Sequence, residues 1–331
     1  MRKTAILSVV LCCTLLCGCK KAQSDPPAGN PQGSSAVTAT AGSSASSGGD
    51  SRPVRDSRPV RDSTPDVLVP SADGTDTYGT DTVSLDASNI GQGYVMVRYT
   101  GDNRKVKLQI ETPEEITYTY LLSQEKIYET FPLPGGDGSY TMTVLENVDG
   151  DMYSVAFEQE IPVQIEDEFL PFLYPNQYVS FTPGSAAIAK GQELSEGAHS
   201  DLEVITEIYH FITGTIVYDT EKAASVSYGY LPDIDETLST KKGICFDYAA
   251  LTAAMLRSQK IPTRLEVGYA GEAYHAWISC YVEETGWIDN IIEFDGSSWS
   301  LMDPTFAAST NSRDLKQFIG DGSNYVVKYY Y

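Results

Sequence analysis

Between Tyr78 and Glu166 apolar and polar residues alternate in short runs: Val83–Leu85, Tyr94–Tyr99, Val106–Ile110, Ile116–Leu121, Tyr128–Phe131, Tyr140–Val144 and Ser154–Phe157. Successive side chains of a strand point to opposite faces, so this alternation predicts strands with one face buried. The runs are rich in Val, Ile, Tyr and Thr, and Gly-Asp, Gly-Gly-Asp-Gly and Asp-Gly-Asp segments between them supply turn chemistry. Short strands at this spacing predict an antiparallel β-sandwich, immunoglobulin-like in general form, over residues 76–166. Residues 167–199, with Pro171, Pro175 and Pro183, read as a connecting stretch.

The period then changes. Ser200 followed by Glu203 is a capping box, and Leu202, Ile205, Ile208, Tyr209 and Ile212 recur at helical spacing. A second helix opens in Lys242-Gly243-Ile244-Cys245-Phe246-Asp247-Tyr248 and runs through Ala249, Ala250, Ala253, Met255 and Leu256 to about Gln259. Strand patterns follow at Thr263–Tyr269, Tyr274–Val282, Ile291–Phe294 and Trp299–Thr305, with Gly-containing turns between them. The C-terminal half is thus a helix followed by an antiparallel meander, and the chain as a whole belongs to the α+β class.

The first 75 residues follow neither pattern. Arg2 and Lys3 precede an apolar run, Thr4 to Leu16, that is shorter than the about 20 residues of a spanning helix and fits a secretory signal. Leu16-Cys17-Gly18-Cys19 resembles a bacterial lipobox, so residues 1–19 are expected to be a lipoprotein signal and Cys19 the acylated mature N-terminus. An ordinary signal peptide containing cysteines is the alternative. Residues 20–75, rich in Ser, Gly, Ala, Pro and Thr, lack the large apolar residues a core needs and predict a disordered tether. Within it Arg-Pro-Val-Arg-Asp-Ser occurs at 52–57 and again at 58–63, which reads as linker expansion. The expected location is therefore the extracytoplasmic side of a cell membrane, held there by the lipid at Cys19.

Residues 64–331 hold 15 Lys and Arg against 41 Asp and Glu. A surface this acidic disfavours nucleic acid and anionic headgroups as partners. The pattern shows no zinc-ligand cluster, EF-hand or phosphate-binding glycine loop, so no metal or cofactor is expected. After loss of the signal and lipidation of Cys19, only Cys245 and Cys280 remain as thiols. Exported proteins normally pair their cysteines or avoid them, so two survivors mean either a disulfide or a thiol kept for chemistry.

Cys245 sits near the first turn of the second helix, where the positive end of the helix dipole favours a thiolate. A buried cysteine filling a gap between helix and sheet is the bland alternative. The remaining pieces come in a fixed order: Gly243-Ile244-Cys245 at a helix start, Gly268-Tyr269, His275-Ala276-Trp277, then Asp303-Pro304-Thr305. This order and spacing resemble the transglutaminase-like superfamily, over roughly residues 200–310. The resemblance implies a transglutaminase-like, papain-type thiol domain over residues 167–331, with Cys245 as nucleophile, His275 as base and later acid, and Asp303 as the group orienting the imidazole. Papain-like chains place the histidine about 130–150 residues after the cysteine; here the interval is 30, which excludes papain topology. The implied chemistry is attack of a thiolate on a protein or peptide amide to give a thioester, resolved by an amine or by water. Tyr218, Asp247 and Trp277 are candidates for oxyanion or supporting roles, and Tyr248 shares the helix start. His199 and His210 read as surface or helix-face residues. Cys280, five positions after His275, falls on the opposite strand face and reads as a core thiol. A non-catalytic domain that keeps the fold for binding or scaffolding is the alternative to an enzyme.

Overall fold

The computed structural model describes residues 58–270, 272–289, 292–294, 299–301 and 325–331. The alternating segments form eight strands: β1 (Thr77–Gly79), β2 (Val83–Asp86), β3 (Tyr94–Tyr99), β4 (Val106–Glu111), β5 (Thr117–Leu121), β6 (Glu129–Pro132), β7 (Gly138–Asp149) and β8 (Met152–Val163). They pair antiparallel in two four-stranded sheets, ordered β1-β2-β3-β6 and β5-β4-β7-β8. The period-2 pattern does what it predicts: Leu85, Val97 and Phe131 of one sheet join Leu108, Ile110, Tyr120 and Met142 of the other in one apolar core. Tyr120 meets the Phe131 ring edge-on at 4.8 Å between centroids, joining the layers. The Asp149-Gly150-Asp151 turn carries Gly150 at φ +52°, the left-handed conformation that favours glycine.

Among the described residues five α-helices follow: α1 (Ala186–Ser195), α2 (Asp201–Thr215), α3 (Thr220–Ser225), α4 (Ile234–Thr240) and α5 (Cys245–Ser258). The α2 cap forms as its sequence predicts, with Ser200 Oγ accepting from the Glu203 amide at 3.2 Å. The Glu203 carboxylate reaches one residue further back, to the His199 N–H at 2.8 Å. Helix α1 falls inside the stretch read as a connection. Its buried face is Ala187, Ile188, Gly191 and Ser195, too small to leave an apolar period, and Gly191 lets it approach Met255 of α5. Two residues each from β9 (Val217–Tyr218) and β10 (Lys242–Gly243) pair in parallel. The remaining strands are β11 (Thr263–Ala270), β12 (Ala273–Val282), β13 (Gly286–Ile288), β14 (Ile292–Phe294), β15 (Trp299–Leu301) and β16 (Tyr325–Tyr330). β13-β12-β11-β16 form one antiparallel sheet, so the last residues of the chain return to lie beside β11.

Helix α5 is buried on nearly every side, between α1, α2 and α4 and the β11–β12 pair. Its far end is tied by Arg257, 1% exposed, which donates to the backbone carbonyls of Thr263, Tyr174 and Tyr331 at 2.6–3.0 Å. One guanidinium thus joins the helix to β11, to the connection and to the chain end. The sandwich shares its apolar core with this region, where Tyr118 and Tyr120 of β5 pack on Tyr331.

The expected tether differs from what is found at its C-terminal end. Residues 58–66 lie along the helices rather than free of them. Arg61 N–H bonds Ala198 O, its Nε pairs with Asp201 at 2.5 Å, Asp66 N–H bonds Ser258 O, and Arg58 pairs with Glu203 at 2.7 Å. The second hexapeptide copy is therefore a docked strap, held by charge pairs and backbone bonds that composition alone does not register. Residues 1–57, including Cys19, and residues 302–324, including Asp303, lie outside the described residues.

Candidate active site

Cys245 is the first residue of α5. The turn before it is built by Asp247, whose Oδ2 accepts the Ile244 N–H at 2.8 Å and closes the helix start from inside. This requires Gly243, because a Cβ there would lie 2.7 Å from the Asp247 Cβ. Asp247 is fully buried, and its charge is met by Lys222 Nζ at 2.8 Å and Tyr230 OH at 2.5 Å. Burial, and then the bond to Asp247, push the Tyr230 phenol up to about 12. Lys222 also lies over the Tyr230 ring at 4.5 Å. The helix bearing the thiol is thus pinned to the 220–230 segment by a buried charge network.

Cys245 is half-buried, and the nearby backbone amides of Ala276, Phe246 and Cys245 itself favour the charged form of its thiol. Ala276 immediately follows His275 on β12, so the fold carries the thiol from its helix start to the histidine's strand. Burial pushes the thiol up, the three amides oppose it, and the Asp247 charge adds to the rise. The dipole argument that favours a thiolate is outweighed by desolvation in the resting site.

His275 pairs in register with Gly268 of β11, and a Cβ at Gly268 would lie 2.0 Å from the Val326 carbonyl oxygen on β16. The next residue on the same face of β12, Trp277, is 1% exposed and lies with its ring 6.1 Å from the imidazole, 25° from parallel. Its indole N–H donates to Glu266 at 2.5 Å. Tyr218 sits opposite Gly243 in the β9–β10 pair and packs against the core. Tyr248 is buried and donates its hydroxyl to the Ile216 carbonyl at 2.5 Å. Cys280 is fully buried among the core residues and both described cysteines are free thiols, as the five-residue offset from His275 predicts. His199 and His210 lie on α2 or at its cap, His199 against the Pro59 carbonyl of the strap. No cluster of three potential metal ligands occurs among the described residues.

Sequence reasoning missed Lys222, Tyr230 and Glu266. A lysine on the short helix α3 and a tyrosine in the loop after it lie in a stretch with no apolar period. Glu266 in Arg264-Leu265-Glu266-Val267 reads as the solvent side of a strand, yet it is only 3% exposed.

Fold and site together define a mixed α/β protein in which N-terminal antiparallel sheets precede a transglutaminase-like domain; residues 188–290 match the model of the transglutaminase-like superfamily. The chain is similar to a UPF0252 protein of Methanocaldococcus jannaschii, 31% identical over 93 residues that make up 24% of this chain and 26% of the other. It thus spans about a quarter of that relative's length. Among solved structures it is similar to a candidate cysteine protease from Cytophaga hutchinsonii, at 15% identity, TM-score 0.32, and 65% and 67% coverage of the two chains. It is also similar to red sea bream transglutaminase, at 14% identity, TM-score 0.23, and 64% and 48% coverage.

Proposed function

We propose that the protein is a cell-envelope thiol enzyme that acts on protein or peptide amides through Cys245, His275 and Asp303, anchored to the membrane by a lipid on Cys19. One arrangement carries the reading: Cys245 is the first residue of a buried helix that packs against β12, the strand of His275, and the Ala276 amide beside that histidine opposes the rise of the thiol. With burial holding the thiol protonated, His275 works as a general base that takes the thiol proton as sulfur attacks the amide carbon. The C–N bond then breaks, the imidazolium gives its proton to the leaving nitrogen, and a thioester to Cys245 remains. Water or a lysine amine attacks the thioester, losing a proton to His275, and the Cys245 sulfur leaves. Amides at the helix start, the Cys245 N–H among them, face the position where the oxyanion develops. Asp303 fixes the imidazole tautomer in this reading, Tyr218 is the proposed second oxyanion donor, and Asp247 and Trp277 support the pair. The acidic surface suits lysine-bearing substrates, and nucleic acid is not among the proposed partners.

Iodoacetamide labelling with peptide mapping tests this directly. Cys245 should react far faster than the fully buried Cys280, and His275→Ala should slow Cys245 by roughly tenfold or more at neutral pH. Equal labelling of the two thiols, or no effect of His275→Ala, overturns the enzyme reading in favour of a binding domain. Offering a glutamine-bearing protein with a fluorescent amine then separates amine incorporation from cleavage.

A further inference from the structure

Among the described residues, a buried carboxylate on β11 has no task in the proposed reaction. Glu266, 3% exposed, lies in register with Trp277 and on the sheet face that carries His275, Trp277 and Ser279. An ionised carboxylate only accepts, and here each oxygen meets one donor: Oε2 takes the Trp277 indole N–H at 2.5 Å and Oε1 takes the Ser279 hydroxyl. The indole so held is 1% exposed and meets the Tyr325 ring edge-on at 5.2 Å between centroids. Its ring centroid lies 6.1 Å from that of His275, with the two planes 25° apart. Across from His275, β11 presents Gly268, which offers no side chain to brace the imidazole. The indole is thus one rigid surface beside the histidine, held by its bond to the carboxylate.

We propose that Glu266 is a positioning residue for His275, acting through Trp277: its carboxylate clamps the indole whose face fixes the imidazole in reach of Cys245. The proposal rests on the Cys245–His275 reading and deepens it. Burying a carboxylate beside an apolar ring is unfavourable unless donors meet it, and a helix–sheet core has no need of one at this place. Burial pushes the Glu266 carboxyl up, and the Ser279 and Trp277 bonds hold it back. The other charged or titratable groups coupled to it are Arg264 on its own strand, Asp289 after β13 and Tyr330 of β16. A purely structural clamp would give stability alone; a positioning clamp gives His275-dependent reactivity at Cys245.

The test measures the rate of Cys245 alkylation by iodoacetamide across pH in the full chain, with thermal melts to confirm folding. Glu266→Leu and Trp277→Phe both release the clamp, the second while keeping an aromatic ring beside His275. Both should slow the His275-dependent rate by about tenfold, the scale expected when a general base is displaced from its productive geometry, and should shift the pH midpoint. Glu266→Gln keeps one acceptor for the indole, and its amide can donate to Ser279 Oγ, so it should rescue most of the rate. Ser279→Ala should leave the rate close to wild type. If a folded Glu266→Leu or Trp277→Phe keeps the wild-type rate and midpoint while His275→Ala does not, the positioning role is overturned and the Cys–His reading survives. If His275→Ala is itself without effect, both fall. Should Glu266→Leu fail to fold, Trp277→Phe and the Glu266→Gln rescue decide the outcome.

Discussion

Replacing Asp247 by Asn separates two effects that one carboxylate exerts on the helix start. Asp247 is fully buried, with Lys222 Nζ at 2.8 Å, Tyr230 OH at 2.5 Å and the Ile244 amide at 2.8 Å. Two unit charges at about 4 Å attract by about 4 kcal/mol at the effective dielectric of a partly buried site. Removing one partner of a buried pair costs about 3–5 kcal/mol. Lys222 keeps 27% exposure and can turn its ammonium to water, so the expected loss falls at or below the bottom of that range, about 2–3 kcal/mol. For a chain of this size that is a fall in Tm of roughly 4–12 °C. The second effect has the opposite sense. The Asp247 charge helps to hold the Cys245 thiol up, so Asp247→Asn should shift the pH profile of Cys245 alkylation to lower pH. Differential scanning calorimetry and iodoacetamide kinetics on the same preparation read both. A variant as stable as wild type with an unmoved profile would show that the buried pair neither holds the helix start nor feels the thiol, and the reasoning would fail.

Three further outcomes follow from the packing. Burial pushes up the Cys245 and Cys280 thiols and the Tyr118 phenol, the last to about 12; the unfolded chain therefore gives up these protons first, and stability should fall as pH rises from about 9 towards 12, a loss that urea melts at stepped pH would miss only if these groups were exposed. Gly268→Ala would place a Cβ 2.0 Å from the Val326 carbonyl oxygen, so β16 must shift at a cost of about 3 kcal/mol or more; an unchanged urea midpoint would contradict the β11–β16 pairing. Arg61→Ala removes a guanidinium that binds Asp201 and the Gln259 carbonyl, and should cost about 1–2 kcal/mol and speed hydrogen exchange at the Asp66 amide, whereas unchanged exchange there would argue against a docked strap.

The period of the apolar residues was enough to locate the sandwich strands, because alternation reports one buried face directly. Leu108, Ile110 and Tyr120 are core residues where the pattern places them. β7 and β8 run well beyond the apolar runs that announce them, since residues such as Met152 lie on an exposed extension where pairing, not burial, holds the backbone, and Val155 inside its run is exposed as well. Helix α1 left no mark because its contact with α5 is made by small residues. The order Gly243-Ile244-Cys245, His275-Ala276-Trp277, Asp303-Pro304-Thr305 was legible as a motif; Asp303 lies outside the described residues, and the helix that Cys245 begins packs against β12, the strand of His275.

By itself, the sequence determined most of the sandwich strands, the two longest helices and the β11–β12 pair, which thiol is core and which begins a helix, and where the family motif lies, because these follow from local period, turn chemistry and residue order. Only the tertiary structure decided that Glu266 is buried against Trp277, that Lys222 and Tyr230 close on Asp247, and that the second hexapeptide copy lies along the helices. A charge on a strand or in a loop looks the same in sequence whether it meets water or a partner; the choice is made by segments far apart in the chain, whose packing removes the water and leaves the partner.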